Sequence, residues 1–259
     1  MIPTLLETQF TRMGARVKTQ HVLGRRDVAS FGIDVAEDAR GEYFNLLVPP
    51  EMQRTDLDVN VVDVRPEWRH LLLLVRQQGR KDKFLCGHDE RHWFTCAVPG
   101  ASVSSVQGAM EALKPDLVRQ AQQIAGGRAR RRLRRRNAAF VRQGEWFFVP
   151  DPALVVPAHL ILRHEPISRG RGKPHRLEEA YRSGGETVYV CRRFPTGLPE
   201  RQYKALVEAE PRAKGWGWAR MVRGAAVYAR GRVTHADHAT IQLREWHQVL
   251  MNTEHEAPA

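Results

Sequence analysis

Seven arginines stand in the nine residues from Arg128 to Arg136, with only Ala129 and Leu133 among them and no acid. Like charges this close repel one another unless an anion lies nearby, so the run reads as a surface linker or a basic helical extension between two folded halves. The expected organisation is built around that run. Residues 1–126 form a neutral β-rich domain ending in a helical segment, 127–137 the arginine-rich linker, 138–251 a basic α+β domain, and 252–259 a mobile tail. The fold class is α+β: two strand-rich, mainly antiparallel domains with a few short helices, joined by a helix and the basic linker.

The strands are legible as short apolar segments separated by polar turns about every ten residues, a pattern of antiparallel sheets or small barrels. Val61, Val62 and Val64 mark one segment and His70–Arg76 the next, with Arg65-Pro66-Glu67-Trp68 as the turn between them. Lys83–Cys86 and His92–Val98 flank a further turn. Val106, Met110, Leu113, Leu117, Val118 and Ile124 then recur at helical spacing, capped by Ser104 or Ser105. Pro115 divides that stretch into two short helices, the first over Ser105–Leu113 and the second with Pro115 in its first turn. In the second half, Phe140–Pro150 reads as a turn and an aromatic strand, and His159–His164 and Glu186–Arg192 as strands. His175–Arg182 reads as one or two helical turns, Pro199–Ala209 as a helix, and Val227–Val233 with Thr240–Leu243 as a hairpin. Trp246–Met251 is a last strand.

Charge is spread unevenly. Residues 1–127 hold 16 Lys/Arg and 16 Asp/Glu, residues 128–137 hold 7 and none, and residues 138–259 hold 18 and 13, which sums to the net +12 of the chain. The electrostatic case for a polyanion therefore rests on the run and on the basic half C-terminal to it. The commonest cellular polyanion is nucleic acid, DNA or RNA, and a guanidinium fork matches phosphate in two-pronged fashion. The expected phosphate contacts are Arg128, Arg130, Arg131, Arg132, Arg134, Arg135 and Arg136, joined by Arg169, Arg171 and Lys173 of a glycine-containing loop. Seven phosphates engaged by the run would give a slope of about −6 in log affinity against log salt. An acidic protein is a second possible partner. A membrane is not expected: the longest purely apolar stretch, Leu71–Val75, is far too short to cross one, and the N-terminus lacks the pattern of a secretory signal. Three cysteines argue against a disulfide framework and for a cytoplasmic, reducing setting.

Motifs for chemistry are weaker. Arg169-Gly170-Arg171-Gly172-Lys173-Pro174 is not a P-loop, because Pro174 stands where a magnesium-binding hydroxyl is required. Cys86, His88, His92 and Cys96 hold four soft ligands, but in the spacing of no common zinc module. The simpler expectation there is a hairpin with Asp89, Glu90 and Arg91 pointing to water. His235 and His238 share a turn, and His247 returns on the following strand. Together they are the catalytic candidates, with His235 and His238 as ligands of a divalent metal in a nuclease or phosphodiesterase; the plainer account makes them turn and surface histidines. Trp216 and Trp218, bordered by Lys214 and Arg220, suit either core packing or the stacking of single-stranded bases.

Overall fold

The computed structural model describes residues 4–21, 31–48, 57–100, 102–127, 129–169 and 172–257. The fold is α+β and mainly antiparallel, and it divides into two compact units. The first holds Met1–Val149 together with His235–Thr240 and Leu250–Ala259, and the second holds Pro150–Thr234 and Ile241–Val249. The arginine run thus lies within the first unit, and the boundary falls after it, at Val149–Pro150.

In the first unit, helix α1 (Thr4–Arg12) precedes a three-stranded sheet of β1 (Val17–His21), β2 (Gly32–Asp38) and β3 (Gly41–Val48). In that sheet β3 is central, parallel to β1 and antiparallel to β2. A four-stranded antiparallel meander comes next: β4 (Leu57–Arg65), β5 (His70–Gln77), β6 (Arg80–Asp89) and β7 (His92–Ala97). Its centre is β5, whose continuous apolar run is what a strand covered on both faces requires. Successive side chains point to opposite faces. Leu71, Leu73 and Val75 pack with Leu6, Phe10 and Met13 of the α1 segment and with Phe44 and Leu46 of β3. Leu72 faces the other way, into a cluster with Leu85, Cys96, Val106 and Leu113. The spacing of Leu6, Phe10 and Met13 is that of one helical face, a signal the sequence carried ahead of its strands.

Helix α2 (Val106–Ala112) is capped by Ser105, whose hydroxyl accepts the Gly108 N–H at 3.0 Å. Helix α3 (Asp116–Ala125) starts directly after Pro115, so the proline caps the helix from just outside its first turn. A short helix α4 (Ala129–Arg132) is succeeded by the hairpin of β8 (Val141–Gln143) and β9 (Trp146–Pro150). Phe140 packs edge-on against Phe147, with centroids 5.1 Å apart. The C-terminal segment, expected to be a mobile tail, is docked at Thr253 and Glu254. The Thr253 hydroxyl donates to the Ala112 carbonyl at 2.7 Å, and the Ala97 N–H donates to the Glu254 carboxylate at 3.1 Å. Pro258 and Ala259 lie outside the described residues.

The second unit contains β10 (Leu162–Ile167), β11 (His175–Ser183), β12 (Glu186–Cys191), β13 (Phe194–Pro199), helix α5 (Glu200–Ala209), β14 (Ala219–Arg223), β15 (Ala226–Thr234) and all but the last two residues of β16 (Ile241–Met251). Strands β10, β11, β15 and β16 are neighbours in that order, and β13, β12 and β14 form a second sheet. Here β11 corrects the helical turns expected over His175–Arg182. Buried Leu177 and Ala180 lie three apart, as on a helix, because a bulge between Leu177 and Glu179 shifts the strand's face by one residue. The expected strands at Thr240–Leu243 and Trp246–Met251 are one continuous strand, β16. Among the described residues no helix is long and apolar enough to cross a membrane.

Candidate functional site

The arginine run is held open by its neighbours in sequence and in the fold. Helix α3 ends in Gly126 and Gly127, at φ 66° and 105°, a region that glycine enters without a Cβ penalty. The chain then turns through α4, whose last carbonyl is pinned. Lys114 Nζ donates to the Arg132 oxygen at 3.1 Å and Gln122 Nε2 donates to the same oxygen at 2.7 Å. Lys114 is almost fully buried, and burial pushes its ammonium below its ordinary pKa despite the Glu111 carboxylate beside it. Asn137 then builds a turn: its side-chain oxygen accepts the Ala139 and Phe140 N–H groups at 2.9 and 3.2 Å. Arg136 makes an isolated antiparallel bridge to Val141, and the Arg142 N–H donates to the Arg135 carbonyl beside it.

Arg134 and Arg136 line a cavity of about 320 Å³ together with Arg131, Arg132, Gln122 and Asn137. No carboxylate stands in that lining. Among the described residues, Arg131, Arg134 and Arg136 form no ion pair, and the Arg132 Nε donates only to the Gly127 carbonyl, at 3.3 Å. Four arginines thus line the cavity with no acid among them.

Arg135 is absent from that lining and is already spent. It pairs with both Asp89 and Glu90, and Arg142 approaches Asp89 at 3.3 Å. Burial, followed by the charge of Arg142, pushes the Arg135 guanidinium down to about 10. The expectation that Asp89 and Glu90 point to water is therefore corrected, and Arg135 leaves the set of phosphate contacts. Glu90 sits in the left-handed region at φ 50°, uncommon for a residue with a Cβ. Its carboxylate also accepts the Ala239 N–H at 2.6 Å. Of the remaining expected contacts, Arg128 and Arg171 lie outside the described residues, as does the side chain of Arg130 on α4. Arg169 and Lys173 belong to the second unit, Arg169 half-buried and Lys173 exposed.

The turn histidines do meet. The rings of His235 and His238 stack with centroids 4.7 Å apart. Burial, reinforced by His235, lowers the His238 pKa, and Glu90 lies 3.7 Å from its Nδ1. The Asp237 N–H donates to His235 Nδ1 at 3.1 Å, which places the proton of the neutral ring on Nε2. His247 is buried in the second unit, opposite Ala229 across β15 and β16, with its Nδ1 2.8 Å from the Glu245 carbonyl. Cys86 and Cys96 are core residues rather than ligands: both are buried, and burial pushes the Cys86 thiol up to about 12.

The residues that the sequence did not reveal are those that shape the cavity: Lys114, Gln122 and Asn137. Only Asn137 carried a local signal, as a turn-former before Ala138-Ala139-Phe140. Comparisons with protein-family models, with curated proteins and with solved structures found no match.

Proposed function

We propose that this protein binds nucleic acid through its phosphate backbone, with Arg131, Arg132, Arg134 and Arg136 as the principal contacts. The observation that carries the reading is the cavity those four side chains line without a carboxylate among them. The net charge of +12 supports attraction of a polyanion from a distance. Four phosphate contacts correspond to a salt slope of about −4, shallower than seven would give. The test is anisotropy of a labelled oligonucleotide across a salt series, comparing wild type with Arg131, Arg132, Arg134 and Arg136 all changed to Gln. The slope is expected to fall by about three to four in magnitude. An unchanged slope removes the cavity from binding. Polyglutamate competing as well as nucleic acid would instead favour an acidic protein as the partner. The three cysteines, all unbridged, fit a reducing, cytoplasmic setting.

A second reading, a metal-dependent phosphodiesterase, rests on the stacked imidazoles of His235 and His238, the latter with its pKa lowered by burial and by His235. Metal binding through His235 would have to move its ring proton or displace the Asp237 N–H. The reading expects a bound divalent ion by elemental analysis and a hydrolytic activity lost in both His235→Ala and His238→Ala. A wild-type protein without either property excludes it.

A further inference from the structure

The second unit carries an aromatic cluster that phosphate contacts do not use. Tyr189 of β12 stacks on Tyr203 of α5, with centroids 3.9 Å apart and planes within 8°. Phe194, opening β13, lies 5.7 Å from Trp218 and 6.3 Å from Trp216, with planes within 16° of parallel. Trp216 and Trp218 are 6.2 Å apart at 22°. The indole N–H of Trp218 donates to the Ala213 carbonyl at 2.7 Å, which fixes that ring in place. Trp246 shows what a core tryptophan of this unit looks like, at 4% exposure. The five clustered rings are only half-buried, so packing accounts for part of their surface and leaves the rest at the surface of the unit.

One of those rings already holds a planar cation. The Arg193 guanidinium lies over Trp216, 4.0 Å from the ring centroid. A flat, delocalised group on an indole face is the geometry a nucleobase adopts there. The surrounding charge has the matching sign. Arg192, Arg193, Arg212, Lys214 and Arg220 are all exposed, and none of them forms an ion pair among the described residues. Of the neighbouring acids, Glu200 and Glu186 are taken by Lys204 and Arg223, while Glu208 and Glu210 are exposed, so the cations outnumber the open acids. A sugar would also stack on these rings, but its hydroxyls call for carboxylates and amides, and the open groups here are mainly cations.

We infer that this surface is a stacking platform for the unpaired bases of a single-stranded nucleic acid, centred on Phe194, Trp216 and Trp218, with Arg193 displaced from Trp216 by the incoming base. It shares only the ligand class with the arginine cavity and adds a selectivity the cavity lacks, because the bases of a duplex are already stacked on one another.

The test is anisotropy with a labelled oligo(dT) and with a duplex of equal length, on wild type, Trp216→Ala and Trp216→Phe. Stacking contributes roughly 1–3 kcal/mol per base, so Trp216→Ala is expected to weaken single-strand binding about tenfold. Duplex binding and the salt slope stay as they are, and Trp216→Phe restores most of the loss. Equal losses on single strand and duplex, or no loss on either, overturn the platform, as does failure of Trp216→Phe to recover binding. Loss of the salt slope in the four-arginine variant is read separately, so the failure of either reading is distinguishable from that of the other.

Discussion

Replacement of Asp89 by alanine is expected to lower the unfolding free energy of the first unit by about 3 kcal/mol, with the chain still folded at neutral pH. Asp89 is the carboxylate that Arg135 and Arg142 share. Its side chain is 13% exposed, against 34% for Arg135 and 24% for Arg142. An ion pair on an open surface contributes less than about 1 kcal/mol. Breaking a buried pair costs about 3–5 kcal/mol because the remaining charge stays out of water. Two guanidiniums depend on this one acid, and burial lowers the pKa of both. The remaining pair between Arg135 and Glu90 and the partial exposure of Arg135 hold the loss to the lower end of that range. Urea unfolding of wild type and Asp89→Ala measures it, and adding Arg135→Gln to the Asp89 change should return part of the stability. A loss below about 1 kcal/mol would mean that the bridge is solvated.

Acid should destabilise the first unit in a defined window. His70 packs under β6, where a Cβ on Gly87 would come within 2.7 Å of the His70 ring. Its Nδ1 lies 2.5 Å from the Trp68 carbonyl and donates to it in the neutral ring. Burial, opposed by that hydrogen bond and reinforced by Arg142 and Arg135, lowers its pKa from the ordinary 6.5 to about 4. The unfolded chain therefore takes up a proton first as pH falls. Stability is full above about pH 6.5, declines as pH drops towards about 4, and levels off below it. The decline amounts to about 3 kcal/mol. His88 is lowered in the same direction, mainly by burial, and adds to the same window. Urea midpoints measured between about pH 7.5 and 3.5 check this, with His70→Gln expected to flatten most of the curve. A stability that does not change across that window rules it out.

Much of the architecture was legible because it is written locally. The apolar run of β5, the Pro115 break between α2 and α3 and the turn carrying His235 and His238 each depend on residues close in sequence. What could not be read depends on distance or on irregularity. Nothing near Arg135 announces a partner 46 residues earlier, so the division of one arginine run into an anchored residue and four open ones was invisible. The bulge at Glu178 gave β11 a helical spacing. Leu6, Phe10 and Met13 did carry a readable helical stripe, but it is short and stands beside no charged or turn-forming cue that would have drawn it out.

The pinning of the Arg132 carbonyl by Lys114 and Gln122 sets how the guanidiniums meet a ligand. A loose arginine tether must be ordered afresh by every anion it encounters, at an entropic cost that weakens each encounter. Here folding does the backbone part of that ordering, and the exposed side chains of Arg131, Arg134 and Arg136 are left to be ordered by what binds. On the proposed function, a polymer of regularly spaced phosphates would draw several contacts from one folded backbone, whereas a lone anion would draw one or two.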